Sequence, residues 1–174
     1  MRWLAITILA ACGSGSNAPA DAPVDAYDTS RCLIKGIYGA LGAVTGTAGS
    51  NNGSTTITVT LDPGPPGKDD LFLQLIPGKG VFAAGVAAGT YTIAGADRNF
   101  TSCGLCTNLI ADITQSGPSK FYFADSGTVT FTSVTPPIAG SATDLHFSEI
   151  DITNGSMILG GCIATISSVM FSTP

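Results

Sequence analysis

Ser54-Thr55-Thr56-Ile57-Thr58-Val59-Thr60-Leu61 alternates strictly, with Ile57, Val59 and Leu61 on one side and Thr56, Thr58 and Thr60 on the other. A period of two is the signature of a strand with one face buried and one wet. The stretch after it, Asp62-Pro63-Gly64-Pro65-Pro66-Gly67-Lys68-Asp69-Asp70, cannot continue that strand, because proline lacks the ladder donor and glycine favours turns. Beyond the loop, Leu71 to Ile76 is nearly continuous in apolar residues, which predicts a strand covered on both faces. Further strands are expected around Val81 to Ala84 and Gly89 to Ala94, the latter with Tyr91 and Ile93 facing together. In the second half, Thr107 to Thr114, Lys120 to Ala124 and Thr128 to Val134 read as three antiparallel strands, with Asp125-Ser126-Gly127 as the turn between the last two. Pro136-Pro137 ends that run. Asp144 to Thr153 and Met157 to Phe171 form a closing hairpin around Asn154-Gly155. No window sustains a helical period. The fold class is therefore all-β: seven to nine strands in a two-sheet antiparallel sandwich, jelly-roll-like or related, with a partly closed barrel compatible with the same spacing.

The 174 residues have room for one domain with a sizeable core. Only 11% of residues are charged and the net charge is −5. Binding to nucleic acid depends on clustered Lys and Arg that displace counterions from phosphate. Here the basic residues are scattered singly, so that class is set aside. After Cys12 no apolar run reaches the 18 or so residues of a spanning helix.

The N-terminus has a different organisation. Arg2 is followed by an apolar run from Trp3 to Ala11, too short to span a bilayer. It closes on Leu9-Ala10-Ala11-Cys12, which resembles the lipobox of bacterial lipoproteins. The resemblance covers only these first residues. It implies cleavage before Cys12, acylation of that cysteine with palmitate-type chains, and attachment to a membrane through lipid alone; two acyl chains give stable anchoring. Gly13-Ser14 follow, with no Asp in the next position, and the resemblance then leans toward the outer membrane of the cell envelope. Residues 13 to 31, rich in Gly, Ser, Ala, Pro and Asp, have the composition of a solvated tether reaching at most about 65 Å. Asp21, Asp25 and Asp28 keep that tether hydrated. The expected organisation is a signal over 1–11, a lipidated cysteine and tether over 12–31, and a β domain over 32–174.

With Cys12 acylated, Cys32, Cys103, Cys106 and Cys162 remain. An even number in an exported chain implies two disulfides, with three possible connectivities. The favoured pairing joins Cys32 to Cys162 and Cys103 to Cys106. Cys103-Gly104-Leu105-Cys106 also has the C-x-x-C spacing of thiol oxidoreductases, but that chemistry needs a thiolate stabilised at a helix N-terminus, and Thr107 to Ile113 reads as strand.

Other groupings are weaker. Asp144, His146 and Ser148 share one strand face and match a Ser-His-Asp set in composition only, since neighbours on a face lie roughly 6.5 to 7 Å apart. Glu149, the sole glutamate, would need to converge with Asp151 or Asp112 across a cleft for glycoside hydrolysis. Asp62, Asp69 and Asp70 bracket a tight loop and are candidate calcium ligands. Sugar platforms use exposed Trp or Tyr; the one Trp is Trp3, while Tyr38, Tyr91 and Tyr122 lie in apolar strand patterns. Asn52, Asn99 and Asn154 begin glycosylation sequons that carry no meaning in a bacterial lipoprotein. The expected function is a lipid-anchored, non-catalytic envelope protein serving as a structural or interaction module, with no cofactor. A calcium- or carbohydrate-binding module is the alternative, and a thiol-disulfide enzyme using Cys103 and Cys106 the remote one.

Overall fold

A computed structural model describes residues 32, 36–62, 67–118 and 120–174. Among the described residues there are ten strands: β1 Ile37–Thr45, β2 Thr47–Asn51, β3 Ser54–Asp62, β4 Lys68–Leu75, β5 Gly89–Thr92, β6 Leu105–Ile113, β7 Lys120–Ser133, β8 Ala139–Asp151, β9 Ser156–Met157 and β10 Ile163–Ser172. One hydrogen-bonded path runs β1-β10-β8-β7-β6-β4-β3-β2, with β5 added to β7 and β9 to β8. The all-β expectation holds, but hydrogen bonding does not divide the strands into two sheets. Nor is the sheet purely antiparallel, because β1 runs parallel to β10.

The two ends of that path are consecutive in the chain. β1 and β2 are separated by Gly46 alone, so one bent strand forms both edges and the sheet curls until they meet. At the bend the Gly46 N–H donates to the Ser172 carbonyl, 2.8 Å away. A Cβ on Gly46 would approach the Thr58 carbonyl oxygen to 2.7 Å. Only glycine fits between the end of β10 and the flank of β3.

Inside the curl lies the core. Ile57 and Val59 of β3, Leu71, Leu73 and Leu75 of β4, Leu105, Leu109 and Ala111 of β6, Val129 and Phe131 of β7, Leu145 and Phe147 of β8, and Ile166 and Val169 of β10 belong to one buried cluster. The alternation read in β3 is therefore real, although Leu61 is only half-buried. β4 departs from its reading: Leu71, Leu73 and Leu75 are buried, whereas Phe72 and Gln74 on the other face remain partly exposed. At one end Phe82 fills the opening, edge-on to Tyr91 at 4.9 Å between ring centroids and near Phe131 at 6.5 Å; Phe171 continues the stack 5.9 Å from Phe131. This is the aromatic end.

Two expected elements are corrected. Val81 to Ala84 is not a strand: Gly80–Phe82 is a short 3-10 turn that delivers Phe82 into the core. Asp125-Ser126-Gly127 is not a turn between two strands but a bulge within the single 14-residue β7, where the register against β8 shifts on both sides of Ser126. Across from it Asp144 has φ 50°, and a Cβ on Gly127 would run into Leu145. The expected closing hairpin is present in part: β8 reaches back to Ala139 and β9 pairs with its end around Asn154-Gly155, but the second arm is interrupted over 158–162 and resumes as β10 at Ile163.

The loops at the aromatic end are held by Asp97, a carboxylate only 2% exposed. Its Oδ1 accepts from the backbone N–H of Gly104 and of Leu105, both at 2.8 Å, and its Oδ2 from that of Val81 at 3.0 Å. Three peptide donors replace the water the anion gives up. Glycine is required beside it, since a Cβ on Gly104 would strike the Lys79 carbonyl and one on Gly80 the Asp97 carboxylate.

The four cysteines among the described residues lie in two pairs at disulfide distance. Cys32 and Cys162 have Cα atoms 5.7 Å apart across 130 residues of sequence, and Cys103 and Cys106 have theirs 5.2 Å apart across 3. Among the described residues no helix is long and apolar enough to cross a membrane.

Asp97→Asn replaces one acceptor oxygen by a donor and strands a buried N–H. It is expected to lower the free energy of unfolding by about 2–4 kcal/mol in urea titrations. Replacing Cys32 and Cys162 together by Ser is expected to cost about 5 kcal/mol, against about 2 kcal/mol for Cys103 with Cys106, because the longer loop constrains the unfolded chain more. Equal losses from the two pairs would contradict that assignment.

Candidate functional site

At the end of the sheet opposite the aromatic stack, positions that continue the inward faces carry polar side chains. Asp69 shares its face of β4 with Leu71, and Glu149 shares its face of β8 with Phe147 and Leu145. Tyr38 of β1 is 1% exposed and donates its hydroxyl to Asp69 Oδ2 at 2.5 Å. The other oxygen, Oδ1, accepts from the Asp112 backbone N–H at 2.8 Å. That contact has a local cause. Between the register points Lys68↔Ile113 and Asp70↔Ile110, β6 contains one residue more than β4, and Asp112 takes φ 50°, a conformation Asp tolerates better than most residues. The bulge deprives Asp112 of its ladder partner, and the Asp69 side chain supplies one.

Burial, then the Asp69 hydrogen bond and the charges of the neighbouring carboxylates, drive the Tyr38 hydroxyl far above its ordinary value. Tyr38 is a fixed neutral donor. Burial, and then the Asp69 charge, raise the Asp112 carboxyl above the usual carboxylate value, with Lys120 opposing them. Lys120 itself pairs with Glu149 at 2.7 Å, both side chains mostly buried. Glu149 uses its other oxygen to accept from the Cys162 N–H at 2.8 Å, beside the Cys32 bridge. Tyr38, Asp69, Asp112, Lys120 and Glu149 thus form a polar end in which one set of hydrogen bonds ties β1, β4 and β6 together and another ties β7 to β8 and to Cys162, just before β10.

The calcium candidates are not gathered there. Asp69 and Asp70 are adjacent on β4 and point to opposite faces. Asp70 accepts from Thr60 Oγ1 at 2.7 Å and pairs with Lys68 at 2.7 Å. Asp62 lies opposite Asp69 in the register. Among the described residues no three His, Cys, Asp or Glu side chains are grouped to hold a metal ion.

On the outer face Asp125, Ser126 and His146 line a shallow groove of about 220 Å³ together with Phe147, Ile163, Ala164 and Thr165. Asp144 and His146 are exposed and Ser148 half-buried, on one face of β8 as the alternation implies. Ser148 Oγ donates to Asp125 Oδ2 at 2.9 Å, and Ser126 Oγ to Asp125 Oδ1 at 3.1 Å. The serine proton is directed to a carboxylate from β7 rather than to the histidine, which is not the nucleophile-to-base contact of a triad. Asp151 is engaged in the turn after β8: it accepts from the Thr153 hydroxyl at 2.6 Å and the Thr153 N–H at 2.8 Å, and these bonds, led by the hydroxyl, hold its carboxyl below the usual value.

Cys103 and Cys106, 1% and 4% exposed, lie in a second cluster on the outer face with Phe123 and Ile150, packed against Ile76, Phe100 and Phe121. The segment between them enters β6, and its N–H groups are bound to Asp97. Tyr38 and Tyr122 are buried and Tyr91 half-buried, which fits packing and not a sugar platform. Cys12, the signal over 1–11 and the tether lie outside the described residues. The chain matches no protein-family model, no curated protein and no solved structure.

The raised Asp112 carboxyl has a consequence for stability. A folded state that holds the proton more tightly than the unfolded chain binds more protons, so its stability falls as pH rises from the usual carboxylate range through the raised value. Asp112→Asn keeps the shape and tolerates positive φ. It is expected to raise the melting temperature at pH 7 and to lose that advantage near pH 3, as measured by thermal unfolding across pH. A constant difference at all pH values would refute the electrostatic origin.

Proposed function

We propose that this chain is a lipid-anchored, non-catalytic module of the bacterial cell envelope, attached through acylated Cys12 and serving a structural or interaction role, with the outer membrane as its site. The observation that carries the reading is Leu9-Ala10-Ala11-Cys12 closing a short apolar run behind Arg2, followed by a polar tether. The remaining cysteines support it, because Cys32 with Cys162 and Cys103 with Cys106 stand at disulfide distance, the arrangement of a chain that matures in an oxidising compartment. Several of the described titratable groups support it as well. Tyr38, Asp69, Lys120 and Glu149 satisfy one another inside the curl, Asp97 and Asp151 hold loops, and Ser148 donates to Asp125. Each has a structural task. The module acts through its surface and its placement.

The intact mass of membrane-extracted protein, before and after thiol alkylation without reductant, tests this. The expected mass begins at an acylated Cys12 and does not change on alkylation. A chain retaining residues 1–11, or cut elsewhere without lipid, would remove the anchor; alkylation mapped to Cys103 and Cys106 would favour thiol-disulfide chemistry instead.

A further inference from the structure

The polar end carries an apolar rim that no part of the mechanism of folding uses. Leu159 is 102% exposed, and around it Met157, Ile158, Ile163 and Ile37 are all exposed. Scattered exposed apolar residues are ordinary, but a contiguous group is not. Strand pairing brings these residues to one end of the sheet, with Ile37 opposite Thr165, two residues along β10 from Ile163, and Met157 opposite Ile150 of β8. Ile37 and Ile163 lie outward on the paired strands β1 and β10, and Met157 on β9, beside the same end of β8. Met157 to Ile163 contains no charged side chain.

The tip is also held in place. The Ile158 N–H donates to the Glu149 carbonyl at 3.0 Å and the Gly161 N–H to the Ile158 carbonyl at 2.9 Å, closing a tight turn over 158–161. Gly160 has φ 68°, as the third position of such a turn requires. Cys162 follows directly, bridged to Cys32 and bound to Glu149. A fixed turn therefore presents a leucine outward at little ordering cost, which suits insertion into an apolar phase.

What it would enter is indicated by where the chain comes from. Residues 12–31 lead into Cys32, and Cys32 is bonded to the residue beside this rim. We infer that Leu159, with Ile158, Met157, Ile163 and Ile37, docks the domain on the lipid surface to which Cys12 anchors it; the inference rests on the proposed lipidation. A tether of this length permits the domain to stand off, and it equally holds the rim near the bilayer at millimolar effective concentration, so weak insertion suffices. Basic residues are scarce and the chain is acidic, so docking proceeds by apolar insertion without attraction to anionic headgroups.

The one Trp, Trp3, leaves with residues 1–11 on cleavage before Cys12, so a mature chain carrying Leu159→Trp has a single tryptophan, at the tip. The full chain, matured in its host, is reconstituted into phosphatidylcholine vesicles with or without brominated acyl chains, and Met170→Trp in the same background serves as the reference at the aromatic end. Blue-shifted emission at 159, quenched by brominated lipid at least twofold more than at 170 and unaffected by salt, is the expected result. Equal quenching at both positions in protein whose mass shows an acylated Cys12 overturns docking and leaves the anchor standing. Blue-shifted but unquenched emission, with sedimentation at twice the monomer mass, overturns it in favour of a second copy. A mass without lipid on Cys12 overturns the anchor, and the inference with it.

Discussion

Closure of the sheet through Gly46 is the constraint on which the rest of the structure depends. A curled sheet has two edges, each a row of unpaired peptide groups open to other chains. Here both edges belong to one strand: β1 completes β10 on one side and β2 completes β3 on the other. The join itself is small, one residue whose N–H extends the β1–β10 ladder to the Ser172 carbonyl in a space too narrow for a Cβ beside Thr58. Its effect is not small. The inward faces of β3, β4, β6, β7, β8 and β10 become the walls of one enclosed core, and each wall is fixed by its neighbours.

Closure leaves two ends, and they are filled by different chemistry. Phe82, Tyr91, Phe131 and Phe171 exclude water at one end, with the loops above clamped by Asp97. At the other, inward positions carry Asp69, Asp112, Lys120 and Glu149. Burying such groups is costly unless each charge finds partners. Glu149 has a cation and a peptide N–H, and Asp69 has a tyrosine hydroxyl and a peptide N–H. Directional bonds of this kind fix the register of neighbouring strands where apolar packing would tolerate a slip.

How much of this was legible depends on whether the signal is local. β3 was legible because its alternation is complete within eight residues. The inward direction of Asp69 and Glu149 was equally present in parity, since they share it with Leu71 and Phe147, and a buried acid implies a partner. The partners' identities were not legible: Tyr38 stands 31 residues from Asp69 and Lys120 29 from Glu149, and only closure brings them together. Asp125-Ser126-Gly127 has the composition of a turn because a bulge makes the same demand, a glycine with positive φ. Val81 to Ala84 was misread because a short apolar run does not distinguish a strand from a plug. β1 carried almost no signal; its Gly- and Ala-rich sequence is strand because β10, from the far end of the chain, pairs with it. For the proposed anchor the position is reversed, as Leu9 to Cys12 can be read only in sequence.

The bridge between Cys32 and Cys162 links these two kinds of information. On the proposed anchoring, any pull between membrane and domain enters the described structure at Cys32. Without the bridge it would load β1 at its first residues, a parallel pair on a strand that also closes the sheet. With it, the load passes to Cys162, whose N–H is held by Glu149 and which leads into β10, hydrogen-bonded on both sides to β1 and β8. A covalent link at that point spares Gly46, the narrowest join in the fold. The same link keeps the 158–161 turn beside Cys32, so on the proposed docking the residues that secure the fold against its anchor also set which end of it faces the membrane.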